Sequence, residues 1–272
     1  MNKAAKTLIL TAAAIVAATA PAQTEEKKFV ACPIVRDTDP PCWLVDYDGK
    51  RYYLGIQQDL NIPVRFYPPQ LRHRILVEGR VKEGPEICGG IPLELDALSV
   101  LPDVDPSCDQ MIPAENMEPP PSRRKSAPYP NGVRLATVKA ESKYSFGLTG
   151  KPPAAEPPFE ARTFTVLFTF DSDYLHMEDA WIIRDAMWYA QDSKAPRVEV
   201  RGYRGAVKLD DGTIAVEQEH MAERRAEKAR TVLVGLGFPE DRLDVRWDSS
   251  LKATKKLPSH EMRRVVIRVI PE

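Results

Sequence analysis

The rhythm of hydrophobic positions changes twice along the chain. From 29 to 112, apolar residues come in short runs bounded by turn residues. Trp43-Leu-Val-Asp-Tyr-Asp-Gly-Lys-Arg-Tyr-Tyr-Leu54 reads as two strands around an Asp48-Gly49 turn, a hairpin signature. Arg74 to Val81, Glu86 to Leu93 and Leu95 to Val100 bring the set to about five strands, with few helical periods. Such short, closely spaced strands predict a small all-β unit over 29–112, an OB-like barrel or a small sandwich. From 113 to 160 proline is dense (Pro113, Pro119 to Pro121, Pro128, Pro130, Pro152, Pro153, Pro157, Pro158), which reads as an extended linker. Within it, Val133 to Phe146 holds enough apolar residues for one or two short strands.

The third rhythm, over 161–272, alternates between strand and helix. Thr163 to Phe170 is a strand of β-branched and aromatic residues. Leu175, Ala180, Ile182, Ile183, Ala186, Met187 and Tyr189-Ala190 give the spacing of an amphipathic helix over Tyr174 to Ala190. Asp171, Ser172 or Asp173 is placed to cap it. Arg197 to Tyr203 is a strand, and Val216 to Leu236 a second helix stopped by Gly237. Leu243 to Trp247 and Arg264 to Val269 are strands. The order β-α-β-α-β-β predicts a two-layer α/β sandwich, helices on one face of a mixed sheet.

Lys3 and Lys6 precede an Ala-rich apolar run, Thr7 to Ala20, and the small-residue site Ala20-Pro21-Ala22 follows. This predicts a signal peptide over 1–22, cleaved after Ala22. The uncleaved-anchor reading fits less well, because the run is short for a bilayer. A lipoprotein fits less well too, because charged Glu25 to Lys28 stand just before Cys32. An export signal changes the meaning of Cys32, Cys42, Cys88 and Cys108. An even number in an oxidising compartment predicts two disulfides with three connectivities. Local pairing, Cys32–Cys42 and Cys88–Cys108, closes the shortest loops and is the preferred expectation. A metal site is disfavoured by the lack of a Cys-x-x-Cys pair or nearby histidines.

A net charge of −1 removes the electrostatic drive for nucleic-acid binding. No nucleophile–base motif, metal motif or phosphate loop accompanies the scattered His73, His176, His220 and His260, so neither an enzyme nor a cofactor is expected.

The series Phe164 to Asp171, Val198 to Tyr203, Met221-Ala-Glu-Arg-Arg-Ala226 and Met262-Arg-Arg-Val265 resembles the OmpA C-terminal-like domain of the OmpA/MotB family, over about residues 165–270. That family holds peptidoglycan non-covalently in the periplasm. The resemblance implies a pocket for the zwitterionic end of a stem-peptide side chain, with an arginine for its carboxylate and an aspartate for its ammonium. Arg225 stands at the arginine position, with Arg263 assisting, and Asp171 and Tyr203 lie beside the pocket. The family's Thr-Asp after Gly-Tyr is here Arg204-Gly205, so the expected anion is missing. The segment from Gly202 to Met221 is also about five residues longer than the family's. Asp210 or Asp211 on that longer loop could replace the carboxylate, although Asp-Gly is also a plain turn signature. Arg225 could alternatively pair with a neighbouring Glu on its own helix. Trp181 and Trp188 share a helix face and read as core. Trp43, Tyr47, Tyr52, Tyr53, Phe66 and Tyr67 read as strand packing ahead of an aromatic binding surface.

The resulting expectation is a periplasmic envelope protein that associates with peptidoglycan stem peptides, cell wall or outer membrane. The alternative is a structural or protein-interaction module whose OmpA-like part no longer binds peptidoglycan. No series of ten-residue alternating strands marks a transmembrane barrel. The partners of the N-terminal unit are not legible in the sequence.

Overall fold

The computed structural model describes residues 25–56, 69–114, 154–251 and 259–271. The expected signal peptide, Phe66, Tyr67 and the stretch Val133 to Phe146 lie outside them, as does most of the proline-rich segment.

Seven strands form the first sheet: β1 (Glu26–Ala31), β2 (Pro33–Asp37), β3 (Cys42–Tyr47), β4 (Lys50–Ile56), β5 (His73–Val81), β6 (Ile91–Val104) and β7 (Gln110–Pro113). Their order is β1-β5-β6-β4-β3-β2-β7. β1 and β2 are separated only by Cys32, yet β1 pairs with β5 and β2 with β3. One bent run therefore joins two distant parts of the sheet and curls it. The β3–β4 hairpin turns at Asp48 and Gly49, with φ of 50° and 68°. Both residues of a tight type I′ turn need positive φ, which is why Asp-Gly signals it. Where the sequence suggested two strands over 86–100, the chain makes a turn at 87–90 and then one 14-residue strand, β6. Trp43, Tyr52 and Tyr53 are buried in this sheet's core, as packing predicted.

The disulfides join Cys32 to Cys108 and Cys42 to Cys88, correcting the local pairing. The strand register supplies the reason. Antiparallel β2–β3 sets Pro33 opposite Val45, which leaves Cys42 several residues along the strand from Cys32. Parallel β2–β7 sets Ile34 opposite Gln110, and so brings Cys108 beside Cys32.

The C-terminal part contains β8 (Arg162–Leu167), α1 (Met177–Asp192), β9 (Arg197–Tyr203), β10 (Ala206–Lys208), β11 (Ile214–Val216), α2 (Met221–Gly235), β12 (Leu243–Asp248) and β13 (Arg264–Ile270). The four-stranded sheet has the order β12-β9-β13-β8, parallel between β12 and β9 and antiparallel elsewhere. Alternate residues Phe164, Val166, Val198, Val200, Val265, Ile267 and Val269 face Ile183, Met187, Ala226, Ala229 and Leu233 of the two helices. The two-layer α/β sandwich is present.

Three local expectations change. α2 begins at Met221, not Val216, because 214–216 form a hairpin with 206–208. α1 starts at Met177, and its N-terminal turn is held by the His176 N–H donating to Asp179 at 2.9 Å, not by residues 171–173. Trp181 and Trp188 are half-buried and flank the Arg184 guanidinium, 6.0 and 4.2 Å from the ring centroids, instead of filling the core.

The first sheet packs directly on the C-terminal layers. β5 is buried over five consecutive residues, Ile75 to Gly79, because both its faces are covered. Ile75 and Val77 enter the first sheet's own core, while Leu76 meets Phe170 and Val207. The Phe170 N–H donates to Ser99 Oγ at 2.8 Å. The β10–β11 hairpin reaches the edge of β1, where Lys28 N–H donates to Asp210 Oδ1 and Asp210 N–H donates to Lys28 O.

Candidate functional site: a carboxylate cradle at Arg225

α2 lies close to β9 because Gly202 has no side chain. A Cβ there would stand 2.0 Å from Ala222 O and 3.0 Å from Ala226 Cβ. That approach brings Arg225, one turn along the helix, across the end of the sheet. Arg225 is fully buried. Nε donates to Ser172 O at 3.0 Å, Nη1 to Tyr203 O at 3.0 Å and Nη2 to Thr169 O at 3.1 Å. The remaining donors form a fork on Glu217, Nη1 to Oε2 at 2.8 Å and Nη2 to Oε1 at 2.6 Å. All five N–H groups of the guanidinium are thus used.

Glu217 is as well served as its partner. Asp171 N–H donates to Oε1 at 2.8 Å and Gly205 N–H to Oε2 at 2.6 Å, so four donors meet two carboxylate oxygens. Neither side chain of the pair is exposed. Burying two ions is tolerated only when attraction and hydrogen bonds together offset their desolvation, and here every lone pair and proton of the pair has a partner.

The backbone around Glu217 is fastened too. Arg204 donates from Nη1 to Glu217 O at 2.8 Å and from Nε to Ser249 O at 2.7 Å. Asp171 Oδ1 accepts from Gln218 N–H at 2.8 Å. Asp171 itself has φ of 50°, which aims its amide inward. Burial raises the Asp171 carboxyl above its ordinary pKa, opposed by the Gln218 bond. Arg204 and Gly205, the two residues that stand where the resemblance leads one to expect Thr-Asp, therefore both hold Glu217.

The other expected site residues are elsewhere. Asp210 docks on β1, and its carboxyl is shifted upward by burial, opposed by the Lys28 amide. Asp211 caps its own turn through Thr213, which lowers its pKa. Neither is among the bonding partners of Arg225, so the carboxylate does come from the longer segment, but from a different residue. Arg263 is buried and faces the first sheet. Nη2 donates to Glu78 Oε2 at 2.5 Å and Nε to Phe168 O at 3.3 Å. It does not assist Arg225. Tyr203 contributes its carbonyl to Arg225, while its ring lies 4.9 Å beneath the Arg264 guanidinium. Glu223 and Glu227, the neighbouring glutamates on its own helix, do not pair with Arg225, whose donors are all used elsewhere.

Sequence reasoning missed Glu217. A helix starting at Val216 would put Glu217 in its first turn, where an acidic residue is unremarkable. The β-branched Ile214 and Val216 just after the Asp211-Gly212 turn were the available signal that this stretch is a strand.

Solved structures similar to part of the chain include the OmpA-like domain of FopA1 from Francisella tularensis. It is 17% identical with a TM-score of 0.34, over 41% of this chain and 73% of that one. The periplasmic domain of Helicobacter pylori MotB is 20% identical with a TM-score of 0.31, over 43% and 80%. The peptidoglycan-associated lipoprotein from Burkholderia pseudomallei is 19% identical with a TM-score of 0.30, over 39% and 88%. No family model matches the sequence, and no curated protein matches it.

Proposed function

We propose that this chain is an exported cell-envelope protein of two domains, a disulfide-stapled unit built on a curled seven-stranded sheet and an OmpA-like α/β domain. The second domain serves as a structural and interaction module whose ligand pocket is closed in the resting protein. The observation that carries this reading is the Arg225–Glu217 pair. The cation that the resemblance assigns to a stem-peptide carboxylate is buried, uses all five donors within the chain and already holds a carboxylate. The second arginine, Arg263, is committed to Glu78 of the first sheet. Peptidoglycan recognition through these two arginines would need both pairs to break. Two disulfides suit an oxidising compartment such as the periplasm. Among the described residues, no helix is long and apolar enough to cross a membrane.

Co-sedimentation with peptidoglycan sacculi tests the reading. The mature wild-type protein is expected to stay in the supernatant. Pelleting that is lost in Arg225→Ala would overturn the closed-pocket reading and restore direct peptidoglycan binding.

A further inference from the structure

We propose that the open face of the four-stranded sheet is a docking surface for an acidic, extended segment of a partner protein. The face lies on the far side of the sheet from α1 and α2 and is separate from the closed pocket. It gives the interaction module read above a partner surface, and it stands whether or not that pocket opens.

Strand alternation builds the face. Val198 and Val200 of β9, Val265 and Ile267 of β13 and Val245 of β12 turn toward the helices. Arg197, Arg201, Arg246, Arg264 and Arg268 alternate with them and turn the other way. The register gathers these arginines. Arg246 lies directly opposite Arg201 across parallel β12 and β9, and Val266 lies opposite Arg201 on its other side. Arg264 and Arg268 flank Val266 on the same face, on the diagonals of Arg201. Arg201, Arg246 and Arg268 are exposed.

The charges do not balance. Glu199 and Asp244 are shared among three guanidiniums: Arg197 pairs with both, Arg246 donates to Asp244 at 2.9 Å, and Arg268 lies 3.8 Å from Glu199. Asp248, the remaining carboxylate of the face, accepts the Ser250 N–H. Arg264 donates to the Glu261 carbonyl and stacks on Tyr203. Arg201 has no hydrogen bond or ion pair among the described residues. Like charges directly opposite each other in a sheet cost stability. Arg201 beside Arg246 therefore lacks a counter-ion that an outside carboxylate supplies.

Two features select an acidic peptide over an anionic bilayer. The cations of these three strands' open face are all arginines, whose forks match carboxylates two bonds at a time. Glu199, Asp244 and Asp248 also interrupt the positive field, so a flat anionic surface meets repulsion along with attraction. An extended segment crossing β9 and β13 can present its acids to Arg201, Arg246 and Arg264 and set its register by avoiding those carboxylates.

The test uses the mature full chain and fluorescein-labelled peptides of alternating Glu and Thr, or Gln and Thr, read by fluorescence anisotropy at low salt. Phosphatidylglycerol vesicles are the second probe. The Glu/Thr peptide is expected to bind and the Gln/Thr peptide not to. Arg201→Gln/Arg246→Gln is expected to weaken binding about tenfold, and exposed Lys50→Gln of the first sheet to leave it unchanged. Arg201→Gln alone breaks no bond within the described residues, should keep the wild-type Tm, and is expected to weaken binding roughly threefold. The proposal is overturned if the Glu/Thr peptide does not bind, if Arg201→Gln binds it as tightly as wild type, if Lys50→Gln weakens it equally, or if only the vesicles bind. Sacculus pelleting reads Arg225 and the peptide reads the open face, so either claim can fail alone.

Discussion

Asp185 is the residue whose chemistry is least at ease with its surroundings. Its side chain is almost fully buried in α1, with the adjacent Arg184 as its ion-pair partner at 3.2 Å. Burial raises its pKa to about 6, opposed by Arg184. The folded chain thus binds this proton more tightly than the unfolded chain, and stability falls as pH rises from about 4 through about 6. Asp185→Asn is expected to add roughly 2 kcal/mol at pH 7.5 and little at pH 4, read as a Tm gain at the higher pH only. Glu217 presents the opposite case, a buried carboxylate with four donors. Glu217→Gln removes the charge opposite Arg225 and turns one of the two acceptor oxygens into an NH2 donor facing one Nη and one backbone amide, and should cost about 3–5 kcal/mol, measured by denaturant unfolding. A loss below about 1 kcal/mol would show that the pair is open to water.

At the scale of elements, the strands and helices of both layers were legible because their apolar positions repeat with period two or 3.6. The β3–β4 turn was legible because Asp48-Gly49 specifies its backbone. Of the β10–β11 hairpin, only the Asp211-Gly212 turn was legible, and its strands were not. Its strands are three residues each, too short for a period, and its second strand runs straight toward a helix with a similar apolar content. The site suffered from the same error. Arg225 could be placed by resemblance, but its partner lies in the mis-assigned stretch, and two acidic turn residues nearby offered a plausible substitute. Gly202 shows the reverse, a residue whose reason appears only when β9 and α2 are in contact. Gly202→Ala is expected to push α2 off the sheet, cost about 1–3 kcal/mol and loosen the cradle. Amide exchange at Gly205 and Asp171 should accelerate in that variant.

At the scale of the whole molecule, the first sheet and the α/β layers share an interface that is apolar at Leu76, Phe170 and Val207 and ionic at Glu78 and Arg263. Both members of that ion pair are buried, so removing one strands the other in a dry environment. Glu78→Ala is expected to destabilise the chain by about 3–5 kcal/mol. It should also separate a transition in which β5 and the α/β layers lose their mutual protection. A single cooperative transition with unchanged midpoint would contradict that coupling. The disulfides act at this scale too, closing separations of 76 and 46 residues within the first sheet. Longer closed loops restrict the unfolded chain more. Non-reducing digestion should release Cys32-to-Cys108 and Cys42-to-Cys88 linked peptides, and locally linked peptides would contradict the strand register.

The account rests on Arg225 and Glu217 holding each other out of solvent. The most direct measurement is NMR of the arginine side chains in the mature protein, with Arg225 assigned by substitution. The account predicts separate, slowly exchanging Nη proton signals for Arg225, with rotation about its Nε–Cζ and Cζ–Nη bonds hindered. These signals collapse in Glu217→Gln. A single averaged, rapidly exchanging Nη signal in the wild type would contradict the closed cradle and leave Arg225 available to an outside ligand.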